Sequence, residues 1–146
     1  MREYYIFNLK KEFAMLYKDK PSELFSIFNR IYYMKEIDKD YWYNLFEQIS
    51  NFFDKEKVNK FIKEKYEGRM VYSYIKDEHI INNLFLNEIS VLKVKPSNLR
   101  LQTNTDASSF LLDLKQFDGN LFFCDFKNQD YFFLRRRDIK INKIPC

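Results

Sequence analysis

The chain has 146 residues, 32% of them charged and 46% hydrophobic, with a formal net charge of +4. That is one ordinary domain, long enough to bury a core unaided, and neither disordered nor membrane-embedded by composition. Two glycines, Gly68 and Gly119, and one histidine, His79, leave no material for a Gly-rich phosphate loop, a dinucleotide fingerprint, a nucleophile elbow, a His-based zinc site or a Ser-His-Asp triad. Aromatic residues reach 19%. Phe, Tyr, Ile, Asn and Lys all use A/T-rich codons and make up close to half of the chain, so aromatic content alone is no nucleic-acid signature. It does imply some surface rings, which can anchor a partner. Cys124 and Cys146 suggest no disulfide framework. A reducing, cytoplasmic setting is the expectation, with no signal peptide, membrane span, metal or cofactor.

The stretch from Tyr4 to Leu9 is short, aromatic and β-rich, and predicts a buried strand. Lys10 to Lys18 follows as a short helix. Pro21 opens a clearer one, with Leu24, Phe25, Phe28, Ile31 and Tyr32 at helical spacing to about Tyr33. Asp38 or Asp40 can cap the next helix, predicted to run to about Phe53 with Tyr41, Leu45, Ile49 and Phe52 on one stripe. Asp54 can cap a fourth, with Val58, Phe61 and Ile62 apolar among lysines. Arg69 to Ile75 reads as a strand, and Lys76 to Asn83 as either a turn and strand or a short helix. Glu88 to Lys95 and Leu99 to Thr103 read as strands around Pro96-Ser97-Asn98. Thr103 to Asp106 forms a helix-start cluster ahead of Phe110, Leu111, Leu114 and Phe117. After the turn at Asp118-Gly119-Asn120, Leu121 to Phe126 and Tyr131 to Leu134 predict a hairpin across residues 127–130. The sum is a single α+β domain over residues 1–146: an N-terminal strand, several helices, then strands with a C-terminal hairpin packed on helices.

Residues 127–146 hold six Lys/Arg against two Asp, which accounts for the whole net charge. Such a basic end, centred on Arg135-Arg136-Arg137, suits phosphate or an acidic partner, and equally a solvated terminus. A small nucleic-acid binder using this segment is therefore the alternative reading, although the neutral remainder offers no extended basic track. Enzymatic candidates are thin. Asp125 with Asp130, or Glu78 with His79, has no supporting pattern, and Glu78-His79 reads as an exposed turn.

Residues 13–17 are five apolar side chains in a row, Phe-Ala-Met-Leu-Tyr. At about 100° per residue, Phe13, Ala14 and Tyr17 share one arc, and Met15 and Leu16 fall on roughly the other side. If Leu16 and Met15 face the core, Phe13, Ala14 and Tyr17 form an exposed aromatic docking patch; otherwise the Leu16-Phe13-Tyr17 arc is itself core. The docking reading requires Phe13 and Tyr17 to be partly exposed on one side of the helix. Gln48, at the margin of the Tyr41/Phe52 stripe, can both donate and accept, or is an ordinary boundary residue.

In sequence order, Tyr4-Tyr5-Ile6-Phe7, Leu9 to Ala14 with Tyr17, Glu23-Leu24-Phe25 with Phe28, Glu47-Gln48-Ile49, Ser109-Phe110, Leu114, Leu121-Phe122, Asp125-Phe126 and Tyr131 together resemble the sporulation inhibitor of replication protein family, SirA. The resemblance implies an α/β regulatory protein, not an enzyme, that binds domain I of the replication initiator DnaA and blocks its assembly at the origin. It implies a docking surface made by Phe13, Ala14, Tyr17 and Gln48. Separately from the resemblance, the chain is expected to be monomeric before docking and, lacking an extended basic track, to bind no specific DNA. Two departures stand out. The family tends to continue Phe-Gly-Arg-Glu after the Tyr, where this chain has Lys18-Asp19-Lys20-Pro21. Near the end it tends to carry Tyr-Gly-Trp-Leu and then a Pro, where this chain has Tyr131 to Arg136 without either the Gly or the Pro.

Overall fold

A computed structural model describes residues 1–134, and its organising element is the first strand. β1 (Arg2–Leu9) runs through the middle of an antiparallel sheet, between β6 (Leu99–Thr103) and β7 (Leu121–Asp125). Its side chains alternate between two cores. Tyr4 and Ile6 join Phe53, Val58, Ile62, Phe110 and Leu114 on one side. Phe7 and Leu9 join Leu24, Phe25, Phe28, Phe46 and Ile49 on the other. A strand covered on both faces has no polar side, which is why this segment reads as a nearly unbroken apolar run. The same holds for β7, where Phe123 faces the first core while Phe122 and Cys124 face the second. Burial pushes the Cys124 thiol well above its ordinary pKa, so it behaves as a small core hydrophobe.

The helices follow from these two faces. α1 (Lys11–Tyr17), α2 (Pro21–Tyr32) and α3 (Lys39–Ile49) lie on the second core; α4 (Lys55–Tyr66) and α5 (Ser109–Leu114) lie on the first. Among the described residues the sheet has eight strands. Its path runs β3 (Tyr72–Ile75), β4 (Glu78–Asn83), β5 (Glu88–Val94), β6, β1, β7, β8 (Asp130–Leu134), and the two-residue β2 (Ser50–Asn51) pairs with the end of β1. The protein is thus the expected α+β domain with a closing hairpin packed on helices.

Several boundaries differ from expectation, each for a local reason. α3 stops at Ile49 because Ser50 and Asn51 leave the helix to pair with Leu9 and Asn8. Phe52 therefore falls outside the helix and is exposed, as is Tyr41; the buried side of α3 is Phe46 and Ile49. α5 starts at Ser109, capped by the Ser108 hydroxyl accepting from Phe110 N–H at 3.3 Å, and Thr103 to Asp106 ends β6 and turns instead. α4 does take Asp54 as its cap, the carboxylate accepting from Lys57 N–H at 3.2 Å. The closing hairpin turns over residues 126–129, one position earlier than expected, because Asp125 accepts from the Asn128 backbone and amide.

Lys76 to Asn83 resolves into a tight turn and β4, with Lys76 and Asp77 at φ of 50° and 66°. His79 is not on an exposed turn: it is fully buried in β4. Its Nε2 lies 2.7 Å from Asn59 Oδ1 and its Nδ1 2.8 Å from the Tyr72 hydroxyl. Asn59 accepts and the phenol donates, which fits one neutral tautomer. Burial, helped by the nearby Lys63 charge and opposed by Asp77, lowers its pKa from 6.5 to about 4. A base whose folded pKa is depressed gives stability that is present above the unfolded pKa and lost as pH falls toward the folded one. Between about pH 7 and about pH 5 the protein is therefore expected to lose about 2 kcal/mol of stability through this one group. Denaturation midpoints across that range should show the slope, and His79→Gln, though less stable at neutral pH, should flatten it.

The β4–β5 turn exposes Leu84, Phe85 and Leu86 together, Phe85 completely. The Asn83 carboxamide oxygen fixes this tip by accepting from the Phe85 and Leu86 amides at 3.1 and 3.3 Å. Phe85→Ser should leave the denaturation midpoint within about 0.5 kcal/mol of the native chain, since an exposed ring loses no packing.

Candidate docking surface

α1 has seven residues, five of them apolar in succession, and buries none of them fully. Its position is set by its start. The Lys10 N–H donates to the Ile49 carbonyl at 2.9 Å, and Leu9 pairs with Ser50 across β1 and β2. These bonds fasten the first turn of α1 beside the last turn of α3. The junction sets Lys10, three positions before Phe13, beside Ile49, the residue after Gln48.

The same anchoring fixes which arc of α1 faces inward, and it is the reverse of the condition set out from the sequence. Phe13, Ala14 and Tyr17 lie against the second core as half-buried side chains, while Met15 and Leu16 are 69% and 59% exposed. Leu9 is completely buried just before the helix, so the chain enters α1 already pressed against α2 and α3, and the arc nearest that entry is covered first. Phe13 and Tyr17 still keep an open part, on the same side of one helix as their i, i+4 spacing requires. Gln48 is exposed on the outer side of α3, in line with Tyr41 and Asn44. The four positions thus occur as a half-open arc on α1 and an open amide at the end of α3, with Met15 and Leu16 extending the apolar surface outward. Sequence reasoning passed over these last two as docking residues, although a run of five apolar residues on a short helix already signals that some must face solvent.

The carboxylates considered for chemistry have structural work. Asp125 holds the β7–β8 turn and accepts from Arg2 Nε at 3.1 Å; Asp130 accepts from Arg2 Nη2 at 2.7 Å. These bonds hold the Asp125 carboxyl below its ordinary range against the opposing effect of burial. Among the described residues, no group of His, Cys, Asp or Glu is arranged to hold a metal ion. None of the helices within residues 1–134 is long and apolar enough to cross a membrane. Arg135, Arg136 and Arg137 lie outside the described residues.

A two-sided antiparallel sheet covered by helices on both faces defines a small α+β protein. The chain matches the family model for sporulation inhibitor of replication protein SirA over residues 2–137, and it belongs to that family. Its class is therefore that of regulatory inhibitors of replication initiation. No curated protein matches the chain.

Proposed function

We propose that this protein inhibits initiation by binding domain I of DnaA through Phe13, Ala14, Tyr17 and Gln48, acting as a cytoplasmic monomer. Occupying domain I prevents it from supporting DnaA self-association and ordered assembly on the origin. The observation that carries this reading is α1 itself, an almost wholly apolar helix with no fully buried residue, fastened beside the exposed Gln48 by the Lys10–Ile49 bond. Half-open aromatic rings on a rigid support suit a few anchoring contacts, because little further ordering is needed when they dock. Ala14 between them lets a partner helix approach closely.

Calorimetric titration of purified DnaA domain I into the full chain tests the reading directly. A saturable one-to-one complex that weakens when Phe13, Tyr17 or Gln48 is truncated is expected. No complex, or one indifferent to all three truncations, would reject the assigned face.

A further inference from the structure

The face of β3–β6 turned away from α4 and α5 contributes nothing to the second core, and ends at the β5–β6 turn beside an apolar pocket. The pocket has a volume of about 210 Å³ and is lined by Tyr5, Phe28, Met34, Tyr43, Phe46 and Asn98 among others. That is room for one large apolar side chain. Phe13, Ala14, Tyr17 and Gln48 take no part in it.

Three cations flank the Tyr5, Ser97 and Asn98 side of it without lining it. Lys93 and Arg100 are directly opposite each other across β5 and β6, and Lys95 follows two positions on, so all three point to the open face. Like charges directly opposed on a sheet destabilise it. Among the described residues none of the three makes an ion pair. Arg100 lies over the Tyr5 ring, 4.8 Å from its centroid, and its Nε is buried with no hydrogen-bond partner; Asn98 Oδ1, in the pocket wall, is likewise unpaired. Arg100 first, then burial and Lys93, hold the Lys95 ammonium below its ordinary pKa. Of the carboxylates around them, Glu78 stands opposite Lys93 without forming an ion pair, Asp77, also within electrostatic reach of Lys93, is paired with Lys55, and Glu3 accepts from Gln102.

We propose that this corner of the sheet is a second docking site, which takes a short acidic segment of a partner protein, one large apolar side chain entering the pocket and neighbouring carboxylates reaching Lys93, Lys95 and Arg100. The charge is complementary, and a bound carboxylate would relieve the opposed pair. A single nucleic-acid strand fits less well. The rest of the open face offers Ile75, Ile80, Ile89 and Val91, which are not stacking platforms, and the Tyr5 ring already has Arg100 over it. This site stands independently of the DnaA reading.

The test is selection of a displayed random-peptide library on the full chain, with Lys95→Glu and Ser97→Trp as comparison proteins. The first variant reverses one of the three charges and the second closes the pocket mouth. Peptides combining a Leu or Phe with flanking Asp or Glu should be enriched, should bind each variant at least tenfold more weakly, and should bind less well as salt rises. The charge variant should also unfold at a denaturant midpoint no lower than the native chain, because it replaces repulsion from Arg100 and Lys93 by attraction, so a loss of binding cannot be ascribed to misfolding. Enrichment of peptides without acidic residues, undiminished binding to either variant, or a preference for oligothymidylate over the selected peptides would overturn the proposal.

Discussion

Tyr17→Ala is expected to weaken binding of DnaA domain I by about 2 kcal/mol or more, roughly thirtyfold. The variant removes the open part of a ring held in place by the second core and a hydroxyl able to pair at the rim of the interface. Because Tyr17 is half-buried against that core, the free chain should also lose some stability, about 1 kcal/mol, since only part of its contact area is at stake. Phe13→Ala should behave alike. Gln48→Ala, on an exposed amide, should cost less in affinity and almost nothing in stability. The control is Phe28→Ala, at a fully buried ring stacked 4.2 Å from Phe7, where a loss of about 3–5 kcal/mol in folding is expected. Affinity and denaturation midpoint measured on the same proteins separate docking from folding. A Tyr17 variant that unfolds as readily as the Phe28 variant would show that the ring is core and not interface.

Glu88→Ala should destabilise the fold by about 3 kcal/mol. Glu88 is buried at the start of β5, and its carboxylate collects four donors: the Ser90 hydroxyl at 2.6 Å, the Ser108 hydroxyl at 3.2 Å, and the Ser109 backbone and hydroxyl at 2.9 and 2.6 Å. Burial alone would raise its pKa, but these bonds outweigh burial and hold the carboxyl below its usual range. The stability it confers is thus present above the ordinary carboxyl pKa and is lost as pH falls through the lower, folded value. Without the carboxylate the three serines lose their common acceptor, and α5 loses what fastens its first turn to the sheet. Hydrogen exchange should accelerate first at Phe110 and Leu114, whose helix depends on that anchor. Glu88→Gln keeps the volume but brings two donors toward donors, and should fall between the native chain and Glu88→Ala. A midpoint unchanged in both variants would show that the serine cluster is satisfied without Glu88.

These two predictions mark where sequence alone sufficed and where it did not. β1, β7 and α2 were legible because two-sided burial and helical spacing leave a pattern in the residues themselves. α3 was read past its end because what stops it is the pairing of Ser50 and Asn51 with β1, a partner forty residues away. The true start of α5 escaped because Ser108, an ordinary serine locally, owes its role to Glu88 across the sheet. His79 was misplaced for the same reason: Tyr72 is near in sequence, but Asn59 comes from a different helix. On α1 the angular grouping of Phe13, Ala14 and Tyr17 was visible, but the side facing inward depended on the Lys10–Ile49 bond, which no local pattern encodes.

The place of β1 also has a consequence in time. It leaves the ribosome well before its partners β6 and β7, which span residues 99–125, so neither core can close around it until those strands have been made. The early helices must wait as well, since α2 and α3 pack on a sheet whose central seam is still missing. Contacts between sequence-distant segments close slowly, because chain entropy is spent before they reward it. The nascent chain therefore carries an aromatic strand with two apolar faces unpaired through most of its synthesis, the condition in which chaperones bind and aggregation begins. For a regulator, that ties the supply of active inhibitor to completed translation: a ribosome stalled before residue 121 yields no β7, no second core for α1 to rest on, and no supported surface to dock.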